Sequence, residues 1–105
     1  MYELRQTIEF EHWLAELRDD TARRAIGVRM VRLQSGLFGD VKPVGDGVSE
    51  LRFNIGPGYR VYFQQRGDVL ILLLCGGDKS TQSKDIKRAK ALAAQVPSAI
   101  GQRTN

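Results

Sequence analysis

Residues 69–75 read VLILLLC, seven apolar positions without a polar break. The run is far too short to cross a bilayer, and Gly67-Asp68 before it and Gly76-Gly77 after it bound it as a strand. A strand that is apolar at every position has no face to give to water. It is therefore an interior strand, and helices must cover it. The rest of the chain has to supply those helices and the strands that flank it.

The segment before the run does so in order. Tyr2 to Glu9 alternates Tyr2, Leu4, Gln6 and Ile8 against Glu3, Arg5, Thr7 and Glu9, a first strand with one mostly apolar side. From Phe10 the period changes: Phe10, Trp13, Leu14 and Leu17 recur at helical spacing up to Asp19-Asp20. Asp20 or Thr21 caps a second helix that carries Ala22, Ala25, Ile26, Val28, Met30, Val31 and Leu33, and Gly36 ends it. Gly27 within this helix suggests a close helix crossing. Leu37 to Gly47, with its glycines, proline and aspartates, reads as a loop. Two alternating arms come next, Glu50 to Ile55 and Tyr59 to Phe63, joined at Gly56-Pro57-Gly58 as a hairpin. After the apolar strand, a last helix runs from Ser80 or Thr81 to about Val96, closed by Pro97, and the tail SAIGQRTN has no periodicity. The expected fold is α+β: two N-terminal helices packed on a mainly antiparallel four-stranded sheet, plus a C-terminal helix, in one domain spanning residues 1–105.

Composition removes several chemistries. One Cys and one His assemble neither a disulfide framework nor an ordinary zinc site within the chain. Cys75 closes the apolar run and reads as a buried, inert thiol, while His12, beside Trp13 in the first helix, reads as structural. The N-terminus MYELRQTIEFEH lacks the apolar centre of a signal peptide, so a cytoplasmic protein without membrane contact is expected, and no cofactor is implied. Residues 1–47 carry net charge −1 and residues 48–105 carry +5. A basic surface built by the hairpin and the segments C-terminal to it favours phosphate-bearing partners, although a solvated basic face has the same composition.

The hairpin's polar face sharpens this. Alternation places Arg52, Asn54, Arg60 and Tyr62 on one surface with Glu50 as its only acid, where an ordinary solvated sheet would more often present Thr, Lys and Glu. At Gly76 to Thr81, GGDKST, a strand ends and a helix begins, so free backbone N–H groups and Lys79 can converge on an anion; a flexible loop before a capped helix is the plainer reading. It is not a Walker A loop, because Asp78 stands where glycine should precede the lysine. No Ser/His/Asp set can be assembled. An arginine-rich site without histidine suits phosphoryl chemistry on RNA, where the ribose 2′-OH is the nucleophile and arginines stabilise charge on the phosphoryl oxygens. Tyr59, Tyr62 and Lys79 are the neighbouring groups that would stack on a base or exchange a proton.

The stretch Gly47 to Ala89, with GYRVYF and GGDKSTQ at its heart, resembles the phage-derived addiction-module killer (HigB-like) group of the RelE/ParE toxin superfamily. The resemblance implies the toxin of a type II toxin–antitoxin system, neutralised by a cognate antitoxin, of helix-turn-helix type, from the same operon. Its implied activity is cleavage of mRNA on the ribosome, with inhibition of DNA gyrase in the ParE manner as the alternative. Arg60 matches the superfamily's strand arginine that contacts the scissile phosphate, and Arg52 lies where a second basic residue is usual. Lys79 and Gln82 match the group's GGDKxxQ motif. The expected catalytic set is Arg60, Lys79, Tyr62 and Arg52, and the expected RNA-binding set is Tyr59, Asn54, Gln82 and Lys84, with no metal. The chain departs from RelE-type patterns in lacking lysines on the second strand and a tyrosine after Pro97.

Overall fold

A computed structural model describes residues 1–97. The elements in chain order are β1 (Glu3–Gln6), α1 (Ile8–Glu16), α2 (Asp20–Gln34), β2 (Val41–Gly45), β3 (Val48–Arg52), β4 (Tyr59–Arg66), β5 (Leu70–Asp78), a 3-10 turn (Lys79–Thr81) and α3 (Gln82–Gln95). They form a five-stranded sheet in the order β1-β5-β4-β3-β2, in which β1 runs parallel to β5 and the remaining pairs are antiparallel. Among the described residues no helix is long and apolar enough to cross a membrane.

Leu70 to Cys75 of the apolar run lie in β5 and are all buried, whereas Val69 precedes the strand and is 58% exposed, so the run is interior except at its first residue. Each face of the sheet has its own cover. Phe10 of α1 and Ile26 and Leu33 of α2 pack with Leu51, Val61, Phe63, Ile71 and Leu73 on one side. Ala89, Leu92 and Ala93 of α3 pack with Val48, Tyr62, Leu72 and Leu74 on the other. The arrangement is thus three layers, with α3 closing the face opposite α1 and α2. Local capping sets the helix starts: Thr7 Oγ1 accepts from Phe10 N at 3.0 Å, and Asp19 Oδ1 accepts from Ala22 N at 3.0 Å. At the end of α1, Arg23 of α2 donates through Nη1 to the carbonyl of Leu14 at 2.8 Å, which Leu17 N also reaches at 3.3 Å, and so ties the two helices together.

Several boundaries differ from expectation for identifiable reasons. The stretch expected to be all loop contains β2, an edge strand that tolerates Pro43 because one of its sides needs no partner. Asp46 and Gly47, both at positive φ (56° and 75°), turn it into β3. β1 stops at Gln6 because Thr7 turns to cap α1, and α1 ends at Glu16 rather than at Asp19. The expected hairpin is present with shifted arms: β3 runs Val48–Arg52 and so ends before Ile55, β4 begins at Tyr59 as expected and continues to Arg66, and residues 53–58 form the connection. Gly27 makes no close crossing, since nothing lies within 4 Å of the direction its side chain would take. His12, read as structural, is exposed on α1. The tail SAIGQRTN lies outside the described residues.

β5 also runs further than its glycines suggested. Gly76 pairs with Val61 and Gly77 with Arg60. An irregularity between the pairs Tyr62↔Cys75 and Phe63↔Leu73 leaves Leu74 as the extra residue, which shifts the facing of the strand's end. A Cβ on Gly76 would overlap the indole of Trp13 on the α1 side, and one on Gly77 would overlap the Asp85 carboxylate on the α3 side. The two glycines are therefore sites of close approach within a strand, not the flexible end of one.

Candidate functional site

The register of β3 on β4 sets Glu50 opposite Tyr62 and Arg52 opposite Arg60. Residues directly opposite share a face, and two-residue steps keep the face, so all four project to the side that α3 covers. The expectation that Arg52, Arg60 and Tyr62 share one surface is met. The expectation that this surface is open is not: Arg60 is 5% exposed and Tyr62 fully buried, because α3 lies over them.

At the centre is Glu50, fully buried. Its Oε2 accepts from the Tyr62 hydroxyl at 3.1 Å and from Gln82 Nε2 at 2.6 Å, the latter reaching down from the first turn of α3. Its Oε1 lies 3.8 Å from Arg60 Nε and 3.9 Å from Arg52 Nε, within ion-pair range but beyond hydrogen bonding. Neither Glu50 Oε1 nor Arg60 Nε has a hydrogen-bonding partner among the described residues. Arg60 instead donates through Nη1 to the carbonyls of Gly58 at 3.0 Å and Tyr59 at 3.1 Å, which pins the β3–β4 connection to the start of β4. Burial first, then the charge and hydrogen bond of Glu50, push the Tyr62 phenol far above its ordinary range. Tyr62 is a neutral donor that holds Glu50, which corrects its expected part as a proton-exchanging group on an open surface.

Lys79 reaches the same end of the sheet from a different part of the chain. Gly58 lies with its open side toward both Arg60 Nη1 and Lys79 Cβ, each 3.5 Å from where a Cβ would stand. Lys79 is exposed, and no ion pair involving it occurs among the described residues. Asp78 does not neutralise it: the Asp78 carboxylate accepts from Ser80 N at 2.8 Å and from Ser80 Oγ, contacts that hold it below the ordinary carboxylate range. This also revises the expected anion cradle at GGDKST, because Gly76 and Gly77 are paired in the sheet and the N–H of Ser80 is already taken by an acid. Arg52 and Arg60 thus flank one buried acid, with exposed Lys79 beside Arg60 at the same end of the sheet, where the Asp78 carboxylate also lies.

The remaining expected residues scatter. Tyr59 turns to the opposite face, where its ring meets Trp13 edge-on with centroids 6.4 Å apart; burial, then Asp19 and Asp78, raise its phenol above the ordinary range. Asn54 is exposed in the connection rather than on the sheet, since β3 ends two residues earlier. Lys84 is exposed on α3, and Gln82 is engaged with Glu50. The residue that sequence reasoning undervalued is Glu50, and its signal was there: a lone acid in phase with two arginines. Cys75 is buried as expected, and burial, with Asp85 next, pushes its thiol up to about 12.

Against known proteins, no protein-family profile matches the chain. The chain is 51% identical over 94 residues to an uncharacterized protein of Haemophilus influenzae, a match spanning 90% of this chain and 95% of the relative. The chain belongs to the family of that Haemophilus protein. The family's fold has a solved counterpart in a chain from the RelBE2 toxin–antitoxin complex of Mycobacterium tuberculosis, with TM-score 0.57 at 17% identity, covering 74% of this chain and 98% of that one. The likeness is one of architecture, and it makes this family's α+β fold RelE-like.

Proposed function

We propose that the protein is the toxin of a type II toxin–antitoxin pair of the HigB-like group, that it works in the cytoplasm, and that it cleaves mRNA on the ribosome. The observation that carries the RNA-directed reading is the convergence of Arg52, Arg60 and Lys79, from β3, β4 and the end of β5, at one end of the sheet. Three cations from separate segments, two of them accessible, suit a phosphodiester whose own 2′-OH attacks the phosphorus. In this reading Arg60 and Arg52 hold the phosphoryl oxygens, exposed Lys79 assists the leaving oxygen, and Lys84 and Asn54 contact RNA at the rim. Tyr62 keeps Glu50 in place. The RelE-like fold supports the toxin assignment, and a cognate antitoxin encoded beside it is the corresponding partner.

A second reading is supported by the burial of Arg60 and Tyr62 beneath α3. A toxin that blocks a protein such as DNA gyrase needs a binding surface and no exposed catalytic group. One experiment separates the two. Purified protein added to translating ribosomes should give new mRNA 5′ ends by primer extension, and co-expressed antitoxin should abolish them. Growth arrest with intact mRNA and inhibited DNA supercoiling would establish the gyrase reading in place of the first.

A further inference from the structure

We propose that the Glu50 carboxylate is an internal occupant of the phosphate site, a positioning residue that sets how strongly Arg52 and Arg60 hold an RNA phosphodiester. The inference deepens the RNA-directed reading above and rests on it. A buried ion pair kept for stability closes its hydrogen bonds, because a half-satisfied buried network is less favourable than an apolar core. Here the closure stops midway. Oε2 is fully engaged by Tyr62 and Gln82, while Oε1 and Arg60 Nε face each other at 3.8 Å, both buried and neither hydrogen-bonded among the described residues. The carboxylate is close enough to neutralise the guanidinium and is held too far back to bind it.

The geometry accounts for this offset. Gln82 and Tyr62 anchor Oε2 from α3 and from β4, and between them they fix the carboxylate short of the two arginines. Arg60 is at the same time restrained by its bonds to the Gly58 and Tyr59 carbonyls. Arg52, with 39% of its side chain exposed, connects the pair to solvent, and Lys79 stands at the same rim. A phosphodiester oxygen approaching along Arg52 competes with an acid that holds the arginines by charge alone, whereas the phosphate offers them charge-assisted hydrogen bonds. Glu50 thereby lets two arginines lie together without substrate and lowers their affinity for unspecific anions.

The test is RNA affinity, read by fluorescence anisotropy with a labelled single-stranded RNA oligonucleotide and, in parallel, by competition with inorganic phosphate. Glu50→Gln keeps the shape and the acceptor for Tyr62 while removing the charge, and it should bind RNA about tenfold more tightly. In an Arg60→Ala background the same change should give a smaller gain, since only Arg52 is then released. Gln82→Ala, at a half-exposed position on α3, frees Oε2 and lets the carboxylate close on Arg60, so it should weaken RNA binding about threefold. It decides the matter alone if Glu50→Gln does not fold. A folded Glu50→Gln that binds RNA no more tightly than the parent would overturn the proposal, as would a folded Gln82→Ala that binds it no more weakly, a gain undiminished without Arg60, or one that appears with inorganic phosphate and not with RNA. A merely structural Glu50 lowers stability and produces no gain in affinity. Because binding is read without ribosomes, intact mRNA in the translation assay would defeat the cleavage reading without altering this outcome.

Discussion

Lys79 and Arg60 are neighbours with opposite physical situations, and substitution should separate them. Lys79 is exposed and pairs with nothing among the described residues, so Lys79→Ala should change stability by no more than about 0.5 kcal/mol. On the proposed function it should abolish detectable mRNA cleavage, while Lys79→Arg should keep RNA binding and cleave slowly, because arginine retains the charge and cannot give up a proton. Primer extension on translating ribosomes measures both. Arg60 is buried beside a buried acid, so Arg60→Ala leaves Glu50 without its nearest compensating charge and should cost about 2–4 kcal/mol in a urea titration. Alternation alone places Arg60 on a polar face and so implies no such cost. The period of two correctly identified which side chains share a face. It carried no information on what lies over that face, because the position of α3 depends on packing across the sheet and not on any local pattern.

Three glycines test the elements in which they sit. Gly76→Ala should push against the Trp13 ring and Gly77→Ala against Asp85, each costing about 2 kcal/mol or more, since the obstacles are an indole packed in the core and a helix side chain already bonded to Thr81. Gly27→Ala on α2 meets nothing and should stabilise by about 0.5–1 kcal/mol; thermal melts of the three variants check the contrast. The elements themselves were mostly legible. The Phe10-Trp13-Leu14-Leu17 spacing, the Asp19-Asp20 boundary and the Gly36 stop announced α1 and α2, and the apolar run announced β5. The failures have physical causes. β2 was hidden because Pro43 and Gly45 are poor strand residues whose defects cost little on an edge. Gly76-Gly77 resembled a strand end because sequence does not distinguish a glycine needed for φ from one needed for space. GGDKST resembled an anion cradle because the carboxylate that fills the role, Asp78, lies inside the motif itself.

For the molecule as a whole, the two buried acids of highest proton affinity make a prediction about alkaline pH. The Cys75 thiol, ordinarily near 9, is pushed up to about 12 by burial, and the Tyr62 phenol is raised further. Above about pH 9 the unfolded chain loses the thiol proton while the folded chain keeps it, so stability is full below that pH and falls as pH rises toward 12. The thiol's share amounts to at most about 4 kcal/mol over that window. Urea unfolding from pH 7 to 11 should show this decline, and Cys75→Ala should make it shallower while lowering stability at pH 7 by the lost packing. A decline of equal slope in the variant would assign it to other groups.

The parallel pairing of β1 with β5 bears on the order in which the molecule can come together. Leu4 finds its partner only at Ile71, and the covers that α1 and α2 provide rest largely on Phe63, Ile71 and Leu73. Until that distant strand is in place, the two N-terminal helices have little apolar surface to lie against, and short isolated helices are marginal in water. The antiparallel ladder from β2 to β5 is local and can zip from its own turns, whereas closing β1 onto β5 must bridge α1, α2 and the three strands between them. On a ribosome, the sheet end bearing Arg52, Arg60 and Lys79 is therefore without its frame until synthesis has passed β5.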